Sequence, residues 1–300
     1  MLSRFLDPKN NFAFLQIFGT EKNKDILIHF LNDILLYSGD EEVKEVTFLK
    51  TIQDTDIAIY RQSIVDVLCR SQNGEQFIVE MQVSHHKGFE KRAQYYASKA
   101  YSQQILREDE SHKKMAVYAK LKGVIFLAIA DFIMFPEKQD WTSKHRLLDT
   151  KTYENDLKDF YFIFMELGKF NKTIEESKTI QEKWAYFFKH AHKSSLVEME
   201  HLIGKDLIIK RAFQAIDQAS WSEEQLRTYD KITKTELDNL AVEQQKLEDA
   251  EARGAAIGEA RGKAEIAKEM LLDAEPLEKI IKFTKLTKEE IEALKGLNRS

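Results

Sequence analysis

Two acidic residues set into one apolar hairpin constrain this chain more than any other feature. In residues 63–83, SIVDVLCRSQNGEQFIVEMQV, two runs rich in Val, Ile and Phe flank Asn73-Gly74, which is the composition of a β-hairpin. Asp66 lies inside the first run and Glu80 inside the second, each with apolar neighbours. A carboxylate in a half-buried sheet must be paired, hydrogen-bonded or metal-bound, because otherwise it loses its hydration without compensation. Two of them in one hairpin read as a metal site.

Register decides whether the acids meet. A two-residue Asn-Gly turn would pair Gln72 with Glu75, set Asp66 opposite Met81 and send Glu80 to the other face. A three-residue loop, Gln72-Asn73-Gly74, closes on Ser71 and Glu75 instead, with Gly74 left-handed in a bulge. Asp66 then faces Glu80 and Ile64 faces Gln82, while Val65, Val67, Cys69, Phe77, Val79, Met81 and Val83 share the opposite, apolar face. Only this second register joins the acids, and it is the one expected.

The rest of the chain alternates helix and strand signals. Residues 21–37 carry Ile26, Leu27, Phe30, Leu31, Ile34 and Leu35 at helical spacing, with Gly39-Asp40 to end the helix. Residues 43–51 predict a strand and lead into a polar bend through Asp54 and Asp56. After the hairpin, residues 88–107 predict a helix that sets Tyr95, Tyr96, Lys99 and Gln103 at helical spacings. Residues 124–133 read as a buried strand and 160–166 as a further one. Helix, three strands, helix, strand is an α/β chain in αβββαβ order. From residue 173 the strand signal fades, and Trp184, Phe187, Phe188, Leu196, Met199, Leu202 and Ile203 suggest a helical cap. Ser222 is placed to N-cap another helix. The expected parts are a core at 1–172, a helical cap at 173–240 and an Ala/Gly-rich helical C-terminal extension at 241–300.

In that extension Ala250, Gly254, Gly258 and Gly262 recur every four residues beside Ala252, Ala256, Ala260 and Ala264. Each step of four advances about 400°, so the rows form an inclined ridge of small residues. Such a ridge either admits a second helix, making a homodimer through 250–264, or belongs to a plain linker helix weakened by glycine. Pairing is the expectation. Thr287 and Glu290 form a capping-box pattern that, with Ile280-Ile281-Lys282-Phe283 before it, predicts a small helix-turn-helix.

Asp66 followed fourteen residues later by Glu80-Met81-Gln82 resembles the PD-(D/E)XK nuclease core, with Gln82 where most of its families carry Lys. The opening LDPKNNFAFLQIFG, the run FEKRAQYYASKAYSQQ, then VIFLAIADFIMF and MELGKF resemble one branch in particular, the recombination-promoting nuclease (Rpn) family. The resemblance covers roughly residues 6–190 and the tail. It implies a restriction-endonuclease-like αβββαβ core acting on DNA. Family tails are usually richer in Gly than this one.

Phosphodiester cleavage needs an activated water and a counter-charge for the transition state, and carboxylates holding Mg²⁺, or Mn²⁺, supply both. Asp66 and Glu80 are the expected metal ligands. Gln82 can hydrogen-bond the attacking water but brings no charge, so Lys99 on the following helix is the expected substitute cation. Asp7 is either a third acid near the metal or an N-cap preceding Pro8, the second reading being preferred. Asp131 lines the cleft or ends its strand. His85 and His86, adjacent in an extended segment, would point to opposite faces. Cys69 is expected to be an inert core residue, and Tyr95 and Tyr96 to pack or hydrogen-bond rather than stack on bases. Gly-rich phosphate loops, paired-Cys zinc motifs and GxSxG elbows are missing from the sequence.

Composition sets the outer bounds. A 43% hydrophobic fraction supports a core, and 32% charged residues argue for a protein in water. A single cysteine fits a reducing compartment. The first residues lack the apolar stretch of a signal peptide, and the apolar run at 123–135 is too short to span a bilayer. A cytoplasmic location, without membrane contact, is expected. The net charge of −5 is unlike a strong non-specific DNA binder, yet residues 87–122 hold nine Lys/Arg against four Asp/Glu. That surplus either faces phosphates or is a solvated helix face. Two functions remain: a metal-dependent DNA endonuclease linked to recombination or mobile elements, favoured by the acid pair, and a non-catalytic DNA-binding or protein-interaction module, favoured by the missing Lys and the acidic charge.

Overall fold

Strands β1 (Val46–Phe48), β2 (Val67–Ser71), β3 (Gln76–Gln82), β4 (Val124–Ala130), β5 (Thr142–Arg146) and β6 (Phe160–Glu166) form one sheet in the order β1-β2-β3-β4-β6-β5. This is a computed structural model that describes residues 4–49, 65–106, 118–204 and 206–297. The Asp54–Asp56 bend, the end of the strand expected at 43–51, Ile64 and residues 107–117 of the basic stretch lie outside the described residues. Strands β1, β2 and β3 run antiparallel to their neighbours in turn, β3, β4 and β6 are parallel, and β5 is antiparallel at the far edge. Helices α1 (Asn11–Phe18) and α2 (Lys24–Leu35) precede the sheet, and α3 (Phe89–Leu106) links β3 to β4. Helices α4 (Ile180–His190), α5 (Leu196–Ile203) and α6 (Leu207–Ala215) follow β6. The architecture is mixed α/β.

Parallel strands covered on both sides must be apolar on both sides, and β3 and β4 are. Phe77, Val79, Met81, Ile125, Leu127 and Ile129 face a core shared with α1, α2, α4 and α6. At its centre Phe18 sits among Phe14, Phe30, Trp184 and Phe188, with ring centroids 4.9 to 6.0 Å away. Leu68, Ile78, Val124, Phe126 and Ala128 face the other way, against Phe89, Ala93, Ala97 and Ala100 of α3. Those alanines recur every three to four residues, so α3 presents a shallow stripe and lies close to the sheet.

Three expectations need correction, and one strand is added that the sequence did not mark. Val65 does not share the face of Val67; it packs with Leu68 and Ile78 on the α3 side, because the ladder begins at Val67 and the strict alternation does not extend back to it. Helix α2 stops at Leu35 rather than near Gly39, through Leu36 in the left-handed region at φ 61°. Strand β5 carries no apolar alternation; it is an edge strand with exposed Lys144 and Arg146, the charged dressing that edge strands need. Asp7 is not the cap of the first helix. Asn10 is, its side chain accepting from the N–H groups of Phe12 and Ala13.

The chain divides into two compact units, Met1–Thr233 and Lys234–Ser300. Helix α7 (Glu223–Leu272) begins in the first, with Ser222 and Gln225 exchanging cap hydrogen bonds at its start. In the second unit α8 (Leu277–Thr284) and α9 (Lys288–Leu297) fold around buried Ala267, Ile280 and Ile291. The capping box closes α9: Glu290 accepts from the Thr287 N–H at 2.7 Å, and Thr287 accepts from the Glu290 N–H at 3.2 Å. Around Gly254, Gly258 and Gly262 a side chain would meet nothing within 4 Å among the described residues. No described helix is long and apolar enough to cross a membrane.

Candidate metal centre

The hairpin turn fixes the site from its far end. Ser71 N–H donates to Glu75 O at 2.9 Å and Gly74 N–H donates to Ser71 O at 3.0 Å. Gly74 takes φ +90°, a conformation that glycine adopts without a Cβ penalty. This is the three-residue loop, and it pairs Cys69 with Phe77 and Val67 with Val79. One step beyond, Asp66 meets Glu80.

The two acids finish the ladder where its backbone pairing stops. The Asp66 N–H donates to Glu80 Oε1 at 3.3 Å, and the Met81 N–H donates to Asp66 Oδ2 at 2.8 Å. Beside them on β4 are Ala128, in register with Glu80, and Ala130, in register with Gln82. Glu80 is 3% exposed. Burial pushes the Asp66 carboxyl up to about 6, against the pull of the Met81 N–H and the charge of Arg92. Burial, and then the charge of Asp66, raise Glu80 well above the usual carboxylate range, with Arg92, the Asp66 N–H and the Gln82 amide opposing. The pair thus carries desolvated negative charge that a cation would neutralise.

The donor chemistry fits a hard divalent ion. Both candidate donors are carboxylates, and each retains oxygen lone pairs beyond its one or two hydrogen bonds. Among the described residues no group of three or more His, Cys, Asp or Glu is arranged to hold a metal. Mg²⁺ suits such a site, since it keeps several waters and takes one or two carboxylates plus substrate oxygens.

Gln82 is drawn into the pair by donating from Nε2 to Glu80 Oε2 at 3.0 Å. Its Oε1 accepts from Arg92 at 2.5 Å. Lys99 stands two turns beyond Arg92 on α3, its ammonium 5.7 Å from the Tyr95 ring. Arg92 was not singled out from the sequence, although the stripe through Lys99 passes through it seven residues earlier. Tyr95 is exposed, and Tyr96 packs against the α3-side core. Cys69 is fully buried, its thiol pushed up to about 12 by burial. His85 packs edge-on against Phe132, and His86 is exposed.

Asp7 and Asp131 belong to a second cluster. Lys9 Nζ lies 2.7 Å from Asp131 Oδ2 and 4.0 Å from Asp7 Oδ2, and His192 Nδ1 lies 3.8 Å from Asp7 Oδ1. The Asp131 N–H donates to Gln82 O at 2.9 Å, so this cluster buttresses the backbone end of β3. Near it, Glu166 is completely buried: Oε2 accepts from the Met134 and Phe135 N–H groups at 2.6 and 3.0 Å, and Oε1 from Lys169 at 2.9 Å. It locks the loop after β4.

No curated protein matches this chain, and no solved structure does. A family model does, over residues 8–246, which include the acid pair, Gln82 and all six strands. Its description is PD-(D/E)XK nuclease family transposase, and the chain belongs to that family.

Proposed function

We propose that this protein is a metal-dependent DNA endonuclease that hydrolyses phosphodiester bonds in recombination or the movement of mobile elements. The observation that carries the reading is the junction of Asp66 and Glu80, two desolvated acids one register step beyond the β2–β3 ladder. On this reading the fold is a restriction-endonuclease-like αβββαβ core at 1–172, with the helical cap at 173–240 and the tail at 241–300. Asp66 and Glu80 would hold Mg²⁺, or Mn²⁺ in its place, which when bound lowers the pKa of a coordinated water and neutralises phosphoryl charge. Gln82 and Lys99 complete the candidate site, and the exposed Lys87 and Lys91 near it suit a DNA backbone. A cytoplasmic location accords with this role.

Purified protein with supercoiled plasmid tests the proposal. Nicking should require Mg²⁺ or Mn²⁺ and disappear with EDTA. A second reading, a non-catalytic DNA-binding or protein-interaction module, draws on the same hydrogen bonds, since both acids also satisfy backbone N–H groups. Plasmid left intact under every divalent cation would select it.

Metal capture should follow pH. Protons compete with the cation for both acids, Asp66 being pushed up to about 6 and Glu80 raised well above the usual carboxylate range, so Mn²⁺ affinity should fall at least tenfold per unit once pH drops below about 6. Calorimetry at pH 5, 6 and 7.5 measures this; a flat profile would move the metal elsewhere.

The helix at 250–264 is the proposed homodimer contact, bringing two sites to two DNA strands. Gly258→Leu should then convert a dimer to a monomer on light scattering, while stabilising the isolated helix by about 1 kcal/mol. A monomeric wild type, or a dimer that survives the change, removes this part of the proposal.

A further inference from the structure

The amide of Gln82 is engaged on both sides. Its Nε2 donates to Glu80 and its Oε1 accepts from Arg92, and only this orientation sets a donor against the carboxylate and an acceptor against the guanidinium. A lysine at 82 could not do this. It has three donors and no acceptor, and it would bring a second positive charge against Arg92. The residue that departs from the usual motif is therefore the one that allows a cation to reach the acids from α3.

Arg92 is held from a second direction. Phe89 is 2% exposed, and the guanidinium carbon of Arg92 lies 4.9 Å from the centre of its ring. That contact adds a cation–π attraction that holds the group over the ring. Arg92 Nε is shielded from water and has no hydrogen-bond partner among the described residues. A guanidinium offers a planar fork of donors matched to phosphate oxygens.

Building on the nuclease reading above, we propose that Arg92 contacts the scissile phosphate and supplies the positive charge that a motif lysine brings elsewhere, and that Gln82 is the positioning residue that holds it beside Glu80. In hydrolysis the oxygen of a water bonds to phosphorus while the bond from phosphorus to the leaving sugar oxygen breaks. The water releases its proton to solvent, and the leaving oxygen takes one up. Negative charge gathers on the non-bridging oxygens during this exchange. A guanidinium fixed in advance stabilises that charge without reorganising. Lys99, about 10 Å further along the helix axis, would meet a different phosphate.

The test uses the full-length protein with Arg92→Gln, Arg92→Lys, Gln82→Lys and the double variant Arg92→Gln/Gln82→Lys. Folding is checked by circular dichroism. Single-turnover nicking in Mg²⁺ is measured beside binding of a short duplex by anisotropy in Ca²⁺. Arg92→Gln should slow nicking about 100-fold or more and weaken duplex binding, with Arg92→Lys between it and wild type. Gln82→Lys should also lose activity, although it restores the common motif. The double variant should be faster than either single change, because it returns one cation to the site. Gln82→Lys as active as wild type, or Arg92→Gln within about threefold of it, overturns the assignment and leaves the nuclease reading standing. A wild type that fails to nick, but whose duplex binding still depends on charge at position 92, overturns the nuclease reading and retains the phosphate contact. A wild type that neither nicks nor depends on Arg92 for binding overturns both.

Discussion

Asp66→Ala should reduce Mg²⁺-dependent nicking by about 10³-fold or more, with Glu80→Ala equally severe, because each removes one of two ligands from the proposed centre. The companion Asp66→Asn should move stability the opposite way. The folded-state carboxyl titrates at about 6 against an ordinary value of 3.8, so the folded protein holds this proton more tightly than the unfolded chain. Stability from this group is therefore full below about pH 4 and declines as pH rises towards 6, by about 3 kcal/mol in all. Asparagine keeps an acceptor for the Met81 N–H and does not ionise. At pH 7.5 without divalent cations, the Asn variant should melt above wild type, and Mn²⁺ should no longer raise its melting temperature. Equal melting of the two proteins across this pH range would show that the acid is not strained. Full nicking by Asp66→Ala would locate the chemistry at another site.

Glu166→Ala carries the largest expected effect on folding. The side chain is completely buried and holds two backbone N–H groups and the Lys169 ammonium, whose own side chain is only 8% exposed. Removing it strips the counter-charge from a buried cation, which keeps only its bond to Phe135 O, and leaves two N–H donors unpaired, a loss of about 3–5 kcal/mol. Glu166→Gln should lose less, because an amide oxygen still accepts from the loop. Pairing Glu166→Gln with Lys169→Met removes the stranded charge and should recover part of the loss. Urea denaturation of wild type, Glu166→Gln, Lys169→Met and the double variant gives the coupling directly. A single Glu166→Ala change costing under about 1 kcal/mol would mean that the ion pair is incidental to stability.

What could be read from the sequence was set by locality. The Asp66–Glu80 register follows from Gln72-Asn73-Gly74 and two alternating runs within some twenty residues, all of it short-range geometry. The caps at Ser222 and Thr287 follow for the same reason. Strand β5 did not, because an edge strand with Lys144 and Arg146 has no apolar period to read. Helix α2 ends through a leucine at positive φ, which no propensity suggests. Asp7 and Asn10 are both plausible caps three residues apart; the structure gives the cap to Asn10 and turns Asp7 towards Lys9 and His192. Arg92 and Glu166 lay inside segments already read as a helix and a strand. Their roles depend on partners across the fold, at Gln82 in one case and at Met134 and Phe135 in the other.

One backbone proton inherits an unusual role from the way the acids terminate the hairpin. The Met81 N–H is bonded to Asp66 Oδ2 rather than to a neighbouring strand's carbonyl, so its acceptor is the same atom that protons and cations seek. Its chemical shift and deuterium uptake should therefore change with whatever occupies that oxygen, while amides deeper in the ladder stay still. A ¹⁵N-labelled sample would carry a built-in gauge of site loading at a single resonance, legible without DNA and without turnover.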